Sequence, residues 1–174
     1  MTGRRLETGT SPAVEASPAG DEKALVSIAT GLIPVILIEE AVSTLIDMME
    51  PSATAGTRLD DIVDDLRMRD RPRLGAVYDA FRETLIFQRL VTAEPLVAAA
   101  QTMVGAARVH APLQHAVFRM DLAGEAWRGF GWHQDFPYNV LRDQFVTAWL
   151  PLTPAGPSNG SIQVAQALSD RLYP

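Results

Sequence analysis

His133 and Asp135 stand two positions apart in the run Trp132-His133-Gln134-Asp135. In an extended strand the side-chain period is two, so the imidazole and the carboxylate project from one face and Gln134 from the other. Side by side, these groups are two thirds of a 2-His-1-carboxylate facial triad. Such a triad holds non-haem Fe(II) by one face of an octahedron and leaves positions open for oxygen and a chelating co-substrate. The missing third would be a His from a distant strand. The same spacing also suits a hydrogen-bonded polar pair at a strand end. The sequence has three histidines, and the other two, His110 and His115, read as surface or core-edge side chains. Two protein ligands alone hold Fe(II) weakly, because affinity and geometry both depend on ligand count.

Composition narrows the chemistry. The 174 residues suit one domain, with or without an appendage, and 47% hydrophobic residues suffice for a packed core. The sequence has no cysteine, which excludes disulfide frameworks, thiolate zinc sites and cysteine nucleophiles. Any metal is then held by His, Asp or Glu. A net charge of -6 argues against a nucleic-acid partner. The most apolar stretch, Ala24 to Ile38, is too short for a bilayer span and is interrupted by Gly31 and Pro34. Arg4-Arg5 is followed by no apolar segment of the kind an export signal needs. A cytoplasmic protein with no membrane partner is expected.

The elements that position the pair follow from periodicity and punctuation. Residues 1–22 are rich in Gly, Ser, Thr, Pro and Ala without a hydrophobic period and read as a disordered leader. Leu25 to Ile33 suits a strand. A helix opens at Pro34, runs to Met49 and is stopped by Pro51. Leu59, Ile62, Val63 and Leu66 form one face of a second helix to Met68; Asp60, Asp61, Asp64 and Asp65 form its solvated face rather than a cation site. Leu74 to about Gln88 reads as a third helix. The fourth runs from Glu94 or Pro95 to Val104, with Pro in its first turn and Gly105 after its last. From Ala111 the texture changes to short β-rich runs: Gln114–Met120, Trp132–Tyr138, Phe145–Leu152 and Ser161–Ala165, separated by Gly and Pro. The organisation expected is a leader (1–22), a mainly helical region (23–108) and a β region (109–174).

The string around the pair has a wider likeness. Trp132 to Asp135, then Phe145 to Leu152 around Trp149, then Asn159-Gly160-Ser161 before another β-rich run, resembles the phytanoyl-CoA dioxygenase family of Fe(II)/2-oxoglutarate oxygenases. Gly31-Leu32-Ile33-Pro34 and the helix after it are similar to that family's opening strand and first helix. The resemblance covers about residues 25–165 and is sharpest over 127–165. It implies an α+β fold, a double-stranded β-helix (jelly roll, cupin-like) with the N-terminal helices packed outside one sheet. It implies that His133 and Asp135 bind iron and act in catalysis, that Trp149 lines the 2-oxoglutarate pocket, and that the substrate is a small molecule. With Trp149 inward, Phe145 and Thr147 face inward too, while Val146, Ala148 and Leu150 meet the outer helices. Retention of a carboxylate at Asp135 favours hydroxylation over halogenation.

The resemblance also implies a second iron-binding His well beyond the pair, followed by an Arg that clamps the far carboxylate of 2-oxoglutarate. No His follows His133, and Arg171 falls too early for the clamp. The expectation is therefore the first half of a jelly roll. It suits a truncated form of a working dioxygenase, a non-catalytic remnant acting as a binding or oligomerising module, or a chain whose barrel is completed by a second copy or a partner. The helical region 35–105 and the loops 122–131 and 139–144 would shape the mouth of the pocket.

Overall fold

The computed structural model describes residues 14–15, 27–122, 125, 131–133, 135 and 145–164. Five α-helices dominate it. Helix α1 (Val35–Met49) is entered from Pro34, whose carbonyl accepts from the Leu37 amide at 2.9 Å. Its buried residues Ala41, Leu45 and Met49 recur every fourth position and so form one stripe. The helix ends at Glu50, before Pro51 could extend it.

In α2 (Leu59–Arg69) the stripe is Ile62 and Leu66, with Asp60 and Asp61 in the first turn and Arg67 and Arg69 in the last. That polarity complements the helix dipole. All four acids are exposed, and Asp60, Asp64 and Asp65 pair with Arg58, Arg67 and Arg69, as a solvated face should. Asp70 ends α2 and caps the next helix, its side chain accepting from the Arg73 amide at 3.1 Å.

One helix expected from the sequence is two. Helix α3 (Arg71–Phe81) and helix α4 (Leu85–Val91) are separated at Arg82–Thr84. The Thr84 hydroxyl donates to the Phe81 carbonyl at 2.7 Å and accepts from the Phe87 amide at 3.2 Å, closing one helix and capping the other. The break lets α3 bury Leu74, Val77 and Phe81 while α4 buries Ile86, Phe87 and Leu90. Helix α5 (Glu94–Val104) ends as expected at Gly105, whose φ of 71° is the left-handed turn that glycine adopts without steric cost. No residue of α5 is fully buried.

Helix α1 packs against α2, α3 and α4, and α2 packs against α3. Phe81, Leu45, Met49 and Leu66 sit at the centre of one hydrophobic core. Among the described residues no helix is long and apolar enough to cross a membrane.

The jelly roll is not there. The sheet present among the described residues is one antiparallel pair of two-residue strands, β1 (Val14–Glu15) and β2 (Ile28–Ala29). It shortens the strand expected over 25–33 and pairs two residues of the expected leader. Of the four β-rich runs, the described residues hold no strand, and Leu113–His115 is a single 3-10 turn. The physical reason lies in what covers their apolar residues. Phe118 is buried against the helices, and Met120, Leu122, Leu150 and Leu152 pack on the same helical core. A strand needs a neighbouring strand for its backbone ladder; these segments bury their alternate side chains on helices instead. The helices thus form the core itself rather than an outer layer on a β-barrel. Most of the 1–22 leader, Phe136 to Tyr138, the loop 139–144 and Arg171 lie outside the described residues.

Candidate functional site

The segment bearing the candidate ligands is anchored before it starts. The Phe118 ring lies 4.6 Å from Phe81 and 5.8 Å from Tyr78, centroid to centroid. Three residues past Leu122, the Glu125 amide donates to the Leu122 carbonyl at 3.1 Å. Arg71, the first residue of α3, then grips both carboxylate oxygens of Glu125, at 2.5 and 2.8 Å. The hydrogen bonds that it donates to Glu125 hold the Arg71 guanidinium above its already high ordinary pKa. Neither residue stood out in the sequence, where the partners are 54 positions apart.

His133 and Asp135 come together. The His133 Nε2 lies 3.3 Å from Asp135 Oδ1, and His133 Nδ1 lies 2.8 Å from the Gly131 carbonyl oxygen. A carbonyl only accepts, so that hydrogen bond requires a proton on Nδ1. In the neutral imidazole this leaves the Nε2 lone pair directed toward the carboxylate. Nε2 and the carboxylate oxygen are then two acceptors close enough to share one cation. The side chains remain 39% and 35% exposed, so an ion can reach them from solvent. No strand creates this juxtaposition among the described residues; the Gly131 carbonyl fixes the ring instead.

The remaining predicted positions are not gathered there. Phe145, Thr147 and Trp149, expected to face inward, are exposed, Trp149 by 42%; Ala148 is exposed as well, while Leu150 packs on the helical core. Trp132, beside His133, is 73% exposed. A groove of about 460 Å³ runs along α1, walled by Ile38, Val42, Ile46 and Leu152, and another of about 230 Å³ lies between Arg82 and Leu113. His133, Asp135 and Trp149 line neither. Among the described residues no third His, Asp or Glu completes a metal-binding group; His110 and His115 are exposed elsewhere. Asn159 and Gly160 lie in a turn: the Asn159 side chain accepts from the Gly156 amide at 2.5 Å and donates to the Pro154 carbonyl at 2.7 Å.

No family model matches the chain, and no match is found among curated proteins or solved structures.

Proposed function

We propose an Fe(II)/2-oxoglutarate-dependent dioxygenase function for the chain, acting on a small-molecule substrate, with His133 and Asp135 as two of the iron ligands. The observation that carries this is the 3.3 Å approach of Nε2 to Oδ1 with Nδ1 tied to Gly131. Two ligand atoms each about 2.1 Å from a first-row divalent ion are about 3.0 Å apart at a right angle and about 3.4 Å apart at the tetrahedral angle. The observed separation of 3.3 Å falls inside that interval, which supports a shared ion. An imidazole whose other nitrogen is hydrogen-bonded to a backbone carbonyl is the usual arrangement of a metal-ligating histidine.

When bound, iron with 2-oxoglutarate and oxygen supplies the oxidising power for hydroxylating a C–H bond. The chain's own part is to hold the ring tautomer through Gly131 and to offer the anionic charge of Asp135. A role for Trp149 at the co-substrate rests on the family resemblance alone. The reading depends on the ligand pair and brings no β-barrel with it. A cytoplasmic location belongs to the same proposal.

A second reading is favoured by the exposed rings of Trp132, Phe145 and Trp149. Large exposed aromatics are enriched at interaction surfaces, which suits a non-catalytic binding or oligomerising module. Titration of the chain with Mn(II), followed by electron paramagnetic resonance, tests the first reading, with consumption of 2-oxoglutarate under added Fe(II) as its catalytic extension. Uptake near one ion per chain, lost in His133→Ala, supports it. Equal behaviour of the two proteins sinks it, and a metal-blind oligomer in gel filtration supports the module.

A further inference from the structure

We infer that the groove along α1 binds a linear dicationic amine, with one ammonium end at Glu39, the other at Asp47 and the alkyl chain on Val42 and Ile46. Helix α1 carries two apolar stripes. Ala41, Leu45 and Met49 are buried in the bundle. Ile38, Val42 and Ile46 recur at the same interval, stay half-buried and line the groove of about 460 Å³. A volume of that order suits a small organic ligand.

The charge at this groove has one sign. Glu39 and Asp47 line it, and among the described residues neither pairs with a basic side chain. By contrast, Glu40 is held by Arg89 and Glu50 by Arg69. Arg58, which follows the groove's Thr57, is turned to Asp60 at 3.1 Å. None of the described residues lining the groove is basic. The last turn of α1 has no basic residue either, whereas that of α2 has Arg67 and Arg69. A cation beside Asp47 therefore meets both a carboxylate and the negative end of a helix dipole.

Spacing sets the length of the ligand. Eight residues of α-helix rise about 12 Å. About eight methylenes between two ammonium groups span the same interval at ordinary carbon–carbon bond lengths. Each carboxylate then meets one cation, and the methylenes cover the two apolar side chains that lie between. A shorter diamine reaches one carboxylate only, and a monoamine leaves the second unmatched. The loop that follows the Asp47 end of α1 gives the groove a built border. It supplies Ala53 to Thr57, and the Thr57 hydroxyl donates to the Thr54 carbonyl at 2.8 Å.

The test is titration of the isotope-labelled chain with octamethylenediamine, followed through the amide shifts in NMR spectra, which also show whether each variant is folded. Saturable shifts should centre on α1 from Glu39 to Asp47. Glu39→Gln and Asp47→Asn should each weaken binding by about two- to fivefold, the scale of an exposed ion pair. The double variant should lose about the product of the two, since the sites are far enough apart to act independently. Octylamine should bind the wild type about as weakly as the diamine binds a single variant, and tetramethylenediamine should bind more weakly than octamethylenediamine. Asp61→Asn, an exposed acid of α2 outside the groove, should leave the affinity unchanged. Shifts that fail to saturate, or that spread over exposed acids of α2 as much as α1, overturn the inference. Equal affinity of wild type and double variant, or of octamethylenediamine and octylamine, overturns it as well.

Discussion

The ring of Phe118 lies 4.6 Å from that of Phe81, centroid to centroid, with the planes inclined at 57°. Phe81 is fully buried at the end of α3 and also meets Phe87 of α4 edge-on at 5.7 Å. One aromatic cluster therefore joins two helices to the segment that leads toward Glu125 and the candidate ligands. Tilted and edge-on ring pairs of this kind add to the energy of simple burial.

Phe118→Ala should accordingly cost about 3 kcal/mol of unfolding free energy, at the lower end for removal of a core phenylalanine because 8% of the residue is exposed. Urea denaturation read by circular dichroism measures it. A loss below about 1 kcal/mol would mean that the segment is not docked on the bundle.

Thr84 terminates α3 and caps α4 with one hydroxyl. Thr84→Ala should lower stability by about 1 kcal/mol, whereas Thr84→Ser, which keeps the acceptor, should cost little. Equal losses for the two substitutions would contradict the capping role.

Glu50 gives the protein an acid-sensitive joint between α1 and α2. Its carboxylate accepts from Ser52 Oγ at 2.6 Å and pairs with Arg69, which also holds Asp65 at 2.5 Å. The Ser52 hydrogen bond, followed by Arg69, keeps the Glu50 carboxyl below its ordinary value of 4.5. The folded state thus favours the ionised form. Its contribution is fully present above the unfolded value and disappears as pH falls through the lower folded value. Melting midpoints of wild type and Glu50→Gln should differ near neutrality and converge as acidification protonates the folded-state carboxylate. A gap that stays constant throughout acidification would count against this linkage.

Metal uptake should depend on the anionic charge of Asp135. Mn(II) titrations should show weaker binding by Asp135→Asn than by wild type, because the substitution removes the anionic ligand. Equal affinity of the two proteins would place the ion somewhere other than on this pair.

Much of the helical half can be read directly from residue order. Ala41, Leu45 and Met49 mark the inner face of α1, Ile62 and Leu66 that of α2, and Pro95 with Gly105 bracket α5. The division of α3 from α4 is less visible, since the apolar period continues from Leu74 through Phe87. Its signal is Thr84, a capping residue just ahead of an apolar run. Alternation in the later segments misleads for a different reason. It reports that one side of an extended chain is covered but not by what, and here Phe118, Leu150 and Leu152 are covered by helices rather than by a second sheet. The spacing of His133 and Asp135 is correct as a guide to proximity, although the Gly131 carbonyl holds the ring. The Arg71–Glu125 contact has no local signature, because a charge pair 54 residues apart leaves no period or motif.

Helix α5 inserts no side chain fully into the interior. Its amides should therefore exchange with deuterium through openings that leave α1 to α4 intact, and a protease should nick the chain near Gly105 before the remainder yields. The molecule consequently has an outer layer that can come away by itself.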